Sequence, residues 1–175
     1  VGILLLSAGV SFGAQSATTS STFSDGSWTA VGTNTLHAAT KVNDADTTYA
    51  NATVLTTMEL ALSSVTDPVA STGHIMRITF KSMAGGGAPE KIDFALYEGA
   101  TQRAIQQNLS QRGAYQSPYY EYILTAAEAN SITDYSNLRF RVVTTALAGG
   151  ESFRVTFLEF VVPNAPVAGP EIDMR

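Results

Sequence analysis

Residues 153–162 read FRVTFLEFVV. Apolar and polar residues alternate along this stretch, which is typical of a strand with one buried face. The phase changes near Phe157–Leu158, where two adjacent apolar residues interrupt the alternation. A β-bulge or bend at this point would keep both halves in one strand. The alternative is a strand that is buried on both faces.

Five segments upstream show the same period of two. Their inward positions are predicted to be Met58, Leu60 and Leu62; Met76, Ile78 and Phe80; Ile92, Phe94 and Leu96; Tyr120, Tyr122 and Leu124; Leu138, Phe140 and Val142. Turn residues such as Asp67-Pro68, Glu98-Gly99 and Gly149-Gly150 separate most of them. Strands that recur about every dozen residues indicate an all-β fold, an antiparallel β-sandwich or jelly roll.

One short helix interrupts the strands. Thr125-Ala-Ala-Glu128 matches a capping box, in which the Thr125 side chain accepts from the backbone N–H of Glu128 and the Glu128 side chain reaches back. We therefore predict one or two helical turns over Ala126–Ile132. A loop without a helix is the alternative.

Composition limits the classes of function. The chain has 175 residues and no cysteine, so it is expected to form one domain without disulfides, thiol catalysis or cysteine zinc sites. Charged residues make up 14% of the chain, the net charge is −5 and basic residues are scattered singly. Because phosphate binding needs a concentrated basic surface, we expect no nucleic-acid partner.

Both ends differ from the middle of the chain. Residues 1–27 are interpreted as an N-terminal arm and a small polar linker, residues 28–162 as the sandwich, and residues 163–175 as an extended Pro-rich C-terminal tail. The opening VGILLLSAGV looks like the core of a signal peptide but has no Lys or Arg before it, and it is too short for a membrane span. We interpret it as a strand or arm that pairs either with its own sheet or with a neighbouring subunit.

No combination of residues in the sequence predicts a catalytic site. His37 and His74 are the two histidines, and neither has a partner at metal-ligand spacing, so surface or loop positions are favoured for both. Glu59, Glu121 and Glu159 lie on predicted strands, where solvated outward faces are favoured over a glycosidase pair. The chain is therefore predicted to be non-enzymatic and to need no cofactor.

Two local features are candidates for binding. Asp44 and Asp46, in NDADTTY, could hold Ca²⁺ with nearby carbonyls, but a structural turn without an ion is favoured. Tyr115 and Tyr119 belong to a tyrosine-rich stretch and are candidates for contact with a sugar or a protein. Core filling remains the preferred interpretation for the tyrosines as a group.

The body of the chain, over about residues 28–163, resembles a β-sandwich domain of tailed-phage virion structural proteins. The segments that carry the resemblance are Trp28–Val31, Val42–Tyr49, Ile92–Thr101, Leu124–Val142 and Arg154–Pro163. The resemblance implies a jelly-roll-like domain on a capsid, tail or fibre. It brings no catalytic residues with it.

We therefore expect a non-enzymatic virion structural protein, a capsid decoration (cement) protein on the capsid surface. Its partners would be the major capsid protein and further copies of itself in a homo-oligomer, with no membrane contact. The segments 1–13 and 163–175 would make the contacts. The predicted interface residues are Ile3, Leu4, Leu5, Leu6, Val10, Phe12, Tyr115, Tyr119, Pro163 and Pro166. The alternative is a tail or fibre carbohydrate-binding module that attaches to host glycan.

Overall fold

Antiparallel strands dominate the computed structural model, which describes residues 13–83 and 90–165. Short turns and two helices, each of one or two turns, connect them. In chain order the elements are β1 (Ala14–Ser24), β2 (Thr29–Val31), α1 (Leu36–Ala39), β3 (Tyr49–Ala52), β4 (Thr57–Leu62), β5 (Ile75–Met83), β6 (Lys91–Glu98), β7 (Thr101–Leu109), β8 (Tyr120–Ile123), α2 (Ala126–Ser131), β9 (Leu138–Ala146) and β10 (Ser152–Pro163).

Two sheets form a sandwich, and β1 belongs to both. In the first sheet β10 is a central strand. β5 pairs with one side of β10, and β3 followed by the first half of β1 pairs with its other side. β8 and β2 extend this sheet by pairing with β5 and β3. The second sheet runs β1-β4-β9-β6-β7, with Thr19–Ser24 of β1 as its edge. All strand pairs are antiparallel, so the predicted fold class is confirmed.

The core lies between the sheets and includes the predicted inward positions other than Tyr120 and Tyr122. Phe94 packs against Phe140 with ring centroids 4.7 Å apart, and Phe140 meets Phe160 edge-on at 6.5 Å. All three are completely buried, and burial of each such side chain contributes about 1.5–3 kcal/mol. The predicted bulge is confirmed, because the β10–β5 register shifts between Val155 and Phe157. Tyr120 and Tyr122 are only partly buried at the edge of the core.

The helix prediction is confirmed, with one addition. Thr125 Oγ1 accepts from the backbone N–H of Glu128 at 3.3 Å, and the Glu128 carboxylate accepts from the backbone N–H of Thr125 at 2.8 Å. α2 ends at Ser131, one residue before the predicted end. The second helix, α1, was not predicted from sequence; Thr35 caps its first turn.

The prediction of a polar linker is wrong for residues 14–24, which form β1. Only Ala17 and Thr19 of this strand are fully buried, and its side chains do not alternate between apolar and polar. Backbone pairing with two sheets holds it in place instead. Pro163, predicted to begin the tail, is the last residue of β10.

Several predictions concern residues outside the described ranges. These are Ile3, Leu4, Leu5, Leu6, Val10, Phe12 and Pro166. Within residues 13–83 and 90–165, no helix combines the length and the apolar character that crossing a membrane requires.

Candidate binding surfaces

The chain enters and leaves the sandwich side by side. Ala14 at the start of β1 pairs with Pro163 at the end of β10, and the N–H of Asn164 donates to the carbonyl of Gly13 at 2.9 Å. The Gln15 side chain closes the pair by donating to the carbonyl of Pro163 at 3.0 Å. We call this end of the sandwich the terminal pole. Both segments predicted to make contacts, 1–13 and 163–175, are therefore joined to the body at one place.

An apolar cleft of about 570 Å³ opens at the terminal pole. We call it the terminal cleft; its apolar walls are Pro68, Val69, Ile75, Val161 and Pro163. Val69 is 78% exposed and has a φ of +52°, and the Asp67 carboxylate accepts from its backbone N–H at 2.8 Å. Because β-branched residues rarely adopt positive φ, the loop holds this apolar side chain outward at a cost in backbone strain.

Sequence reasoning found only Pro163 among the cleft residues. The others come from the loop before β5, from β5 itself and from β10, which are close only in the folded chain. Asp67-Pro68 was interpreted only as a turn, and that interpretation did not predict a cleft. No sequence pattern marks an exposed apolar wall that is assembled from three segments.

A cluster of tyrosines and charged groups covers the outer face of the first sheet, and we call it the tyrosine face. At its centre the Asp46 carboxylate binds Lys81 Nζ at 2.5 Å, Arg154 at 2.7 Å and the Tyr115 hydroxyl at 3.2 Å. Lys81 also lies over the Tyr115 ring, 4.4 Å from its centroid. The hydrogen bond from Lys81, reinforced by that from Arg154, holds the pKa of Asp46 below its usual range.

Tyr119 occupies a similar position further along this face. The Arg77 guanidinium lies 4.5 Å from its ring centroid, and Phe157 packs beside it at 6.5 Å. Arg77 in turn binds Glu121 and Glu159, each at 2.9 Å. Tyr115 and Tyr119 are thus half-buried, and a cation covers one face of each ring.

The two aspartates considered as calcium ligands, for which a turn without an ion was favoured, serve different partners. Asp44 accepts from the Thr48 backbone N–H at 3.1 Å, from the Thr48 hydroxyl at 2.9 Å and from the Thr156 hydroxyl at 3.2 Å. Asp46 is neutralised by Lys81 and Arg154. Within the part of the chain that the structure describes, no group of three or more histidine or acidic residues could hold a metal ion.

The three glutamates considered for glycoside hydrolysis lie on the outer faces of two different sheets. Glu121 and Glu159 share Arg77 on the tyrosine face, whereas Glu59 lies on the outer face of the second sheet. Glu59 is only 9% exposed and binds Arg141 at 2.5 Å and Arg139 at 3.2 Å. The prediction of a solvated Glu59 is wrong, because the two arginines of β9 cover it.

No family model matches this chain, and no curated protein matches it. Solved structures that resemble it include a cyclase, a carbohydrate-binding module and a catalytic domain. A cyclase from Fischerella sp. TAU, solved with 4-(1H-indol-3-yl)butan-2-one, is 13% identical at a TM-score of 0.46, and the match covers 68% of this chain and 66% of the cyclase. The carbohydrate-binding module TmCBM61, solved with β-1,4-galactotriose, is 10% identical at a TM-score of 0.44, with 89% of this chain and 90% of that one covered. The catalytic domain of Agl-KA is 10% identical at a TM-score of 0.41; 91% of this chain matches 29% of that one. The chain therefore spans slightly less than two thirds of the cyclase and under a third of the Agl-KA domain.

Proposed function

We propose that the protein is a non-enzymatic virion structural protein, a capsid decoration protein that attaches to the shell through its terminal pole. The observation that carries this proposal is the pairing of Ala14 with Pro163 beside the terminal cleft. It places Gly13 and Asn164, next to the points where residues 1–12 and 166–175 join the described body, at the same end of the sandwich, beside the exposed side chain of Val69. Contacts made there leave both sheet faces available to solvent.

Physical chemistry supports attachment at this end. Apolar segments that leave a domain beside an apolar cleft bury more surface when a neighbouring subunit supplies the other wall, at about 25 cal/mol per Å². An extended segment can also add backbone hydrogen bonds by pairing with a strand of the neighbour. On a symmetric shell many such contacts act together, so weak individual contacts give stable attachment.

The test begins with the particle and then uses variants. Quantitative mass spectrometry of purified particles should find the chain in numbers comparable to the major capsid protein. When added to shells that lack it, the full chain should bind. A chain without residues 1–12 should remain folded and fail to bind, and Val69→Asp should bind at least tenfold more weakly.

Leu55→Asp is the matched control. Leu55 is 61% exposed and follows β3, whose Ala52 pairs with Phe153 at the start of β10, away from the terminal pole. This variant should bind like the unchanged chain. Full occupancy by the truncated chain, or only a few copies per particle, would overturn the capsid proposal.

The second candidate is a tail or fibre carbohydrate-binding module, for which the tyrosine face is the specific observation. Tyr119 has a cation over one ring face, so a sugar would have to stack on the other. Saturable binding on a glycan array that Tyr119→Ala abolishes would favour this candidate over attachment to a capsid.

A further inference from the structure

An apolar row crosses the outer face of the first sheet at the terminal pole. Val161 of β10 pairs with Ile75 of β5, and Ile75 pairs with Ile123 of β8, so the three side chains lie on one face. Val161 and Ile75 form walls of the terminal cleft, and Ile123 is 65% exposed. The row therefore leaves aliphatic surface, most of it on Ile123, open to solvent.

The terminal cleft offers no unpaired charge. Arg77 is the only charged residue among the described residues of its wall, and Glu121 and Glu159 each bind it at 2.9 Å. Cavities of about 300–1,000 Å³ can bury a ligand of drug size. The cleft, at about 570 Å³, lies in this range. Its volume and its apolar walls suit a group of aliphatic side chains better than an ion.

Val69 stands at the cleft against its conformational preference. Its φ is +52° and its side chain is 78% exposed, and the Asp67 carboxylate fixes this geometry by accepting from the Val69 N–H. Strained backbone of this kind is concentrated at binding and contact sites, where a second surface can offset its cost. The strain and the exposure together point to an aliphatic occupant that packs on Val69.

The adjoining part of the chain has the matching chemistry. Gly13 itself lines the cleft, and residues 1–12 precede it. Residues 3–6 are Ile-Leu-Leu-Leu, and no charged residue occurs in residues 1–12. Residues 7–12 join that run to Gly13 and can span up to about 20 Å. Because roughly two to five residues are enough to reverse a chain, residues 3–6 can reach a cleft that begins at Gly13.

Tethering favours the chain's own segment over that of a second copy. A segment joined through a short linker has an effective concentration of about 1 mM at its site, about a thousandfold above a second copy at about 1 µM. We propose that residues 3–6 of the free chain occupy its own terminal cleft and cover Val69, Ile75 and Val161. The contact belongs to the free chain, so it does not depend on the proposed attachment to a shell. Attachment that uses the cleft would displace it.

Disulfide trapping tests this contact in the full chain, which has no native cysteine. Leu5→Cys is combined with Val69→Cys, or with Thr66→Cys as the matched control. Thr66 is exposed and its backbone binds the Gln15 side chain, so it lies at the same pole without lining the cleft. Because a disulfide requires Cα atoms within about 7 Å, the pair with Val69→Cys should close within one molecule at least tenfold faster than the control pair at about 1 µM protein.

Methyl NMR of the full chain is the second measurement, and it needs no cysteines. Leu4→Asp combined with Leu5→Asp should expel the segment, because the apolar walls cannot solvate two carboxylates. The methyl signals of Val69 and Ile75 should then shift, and those of Val54, which is 49% exposed between β3 and β4, should not. The proposal is overturned by equal closure rates for the two cysteine pairs, by disulfide-linked dimers in place of the closed monomer, or by unchanged signals of Val69 and Ile75.

Discussion

His74 Nε2 and the Tyr135 hydroxyl lie 2.7 Å apart, and the two side chains are 0% and 6% exposed. His74 precedes β5 in the first sheet, and Tyr135 precedes β9 in the second, so this hydrogen bond joins the two sheets. The His74 ring also packs on Phe160, 6.0 Å away. His74 lies in the loop before β5, as the sequence predicted, but it is buried and not at the surface, because Tyr135 satisfies its Nε2 inside the fold.

Acid should weaken the fold through His74. Burial lowers the pKa of His74, although the Thr72 backbone and, to a smaller extent, the charge of Asp67 oppose the shift, so the folded protein prefers the neutral ring. As the pH falls from about 7 to about 5, the unfolded chain takes up a proton that the folded chain resists. The free energy of unfolding should therefore fall by up to about 1.4 kcal/mol per pH unit. Chemical denaturation at several pH values measures this slope.

His74→Gln should flatten that slope, even if it lowers stability overall. His37→Gln is the matched control, because His37 is the other histidine and is half-exposed. It should keep the slope of the unchanged chain. An equal slope in His74→Gln would assign the acid sensitivity to the carboxylates instead.

Removal of the Asp46 carboxylate should destabilise the tyrosine face. In Asp46→Ala, Lys81 loses its bond to the carboxylate while only 6% exposed, and Arg154 loses the same partner. We expect a loss of about 1–2 kcal/mol, reduced by the exposure of Asp46 itself. Urea unfolding measures it. Asp25→Ala, which removes an exposed carboxylate that has no partner among the described residues, should unfold like the unchanged chain; equal losses in both variants would contradict this assignment.

Gly26 should not tolerate a side chain. Its φ is +55°, and a Cβ built on it would lie 2.2 Å from the carbonyl oxygen of Thr57. Gly26→Ala should cost more than about 1 kcal/mol and disturb the turn between Asp25 and Trp28. The melting temperature and Trp28 fluorescence report both effects. Gly149→Ala, where a Cβ meets nothing within 4 Å, should be nearly neutral.

The capping box of α2 should be worth about 1 kcal/mol. Thr125→Ala removes the acceptor for the Glu128 N–H and leaves a backbone donor of the first turn without its partner. Urea unfolding should show this loss. Thr53→Ala changes an exposed threonine that caps no helix, and its stability should stay within about 0.5 kcal/mol of the unchanged chain. A neutral Thr125→Ala would mean that tertiary packing alone holds α2.

Sequence patterns predicted the strands that bury large side chains. β4, β5, β6, β9 and β10 each place Leu, Ile, Val, Met or Phe at alternate positions, and those positions form the core. β1, β2, β3 and β7 were missed because they are held mainly by backbone pairing. β7, for example, reads TQRAIQQNL and buries only Ala104 and Leu109.

The candidate sites were less accessible to sequence reasoning. Asp46 was found as part of a local turn, but its partners Lys81 and Arg154 come from β5 and β10. Tyr115 and Tyr119 were singled out from the sequence as candidate contact residues, but the cations that lie over their rings became known only from the fold. The terminal cleft was missed, because its walls come from segments that are distant in the chain.

The sequence by itself determined an antiparallel sandwich, the bulge in β10 and the capped helix α2. These depend on the period of two and on contacts within a few residues, which the order of residues encodes directly. Only the tertiary structure decided that β1 joins both sheets, that the chain enters and leaves at one pole, and which side chains line the terminal cleft. These properties depend on pairings such as Ala14 with Pro163, which are distant in the chain and have no local pattern.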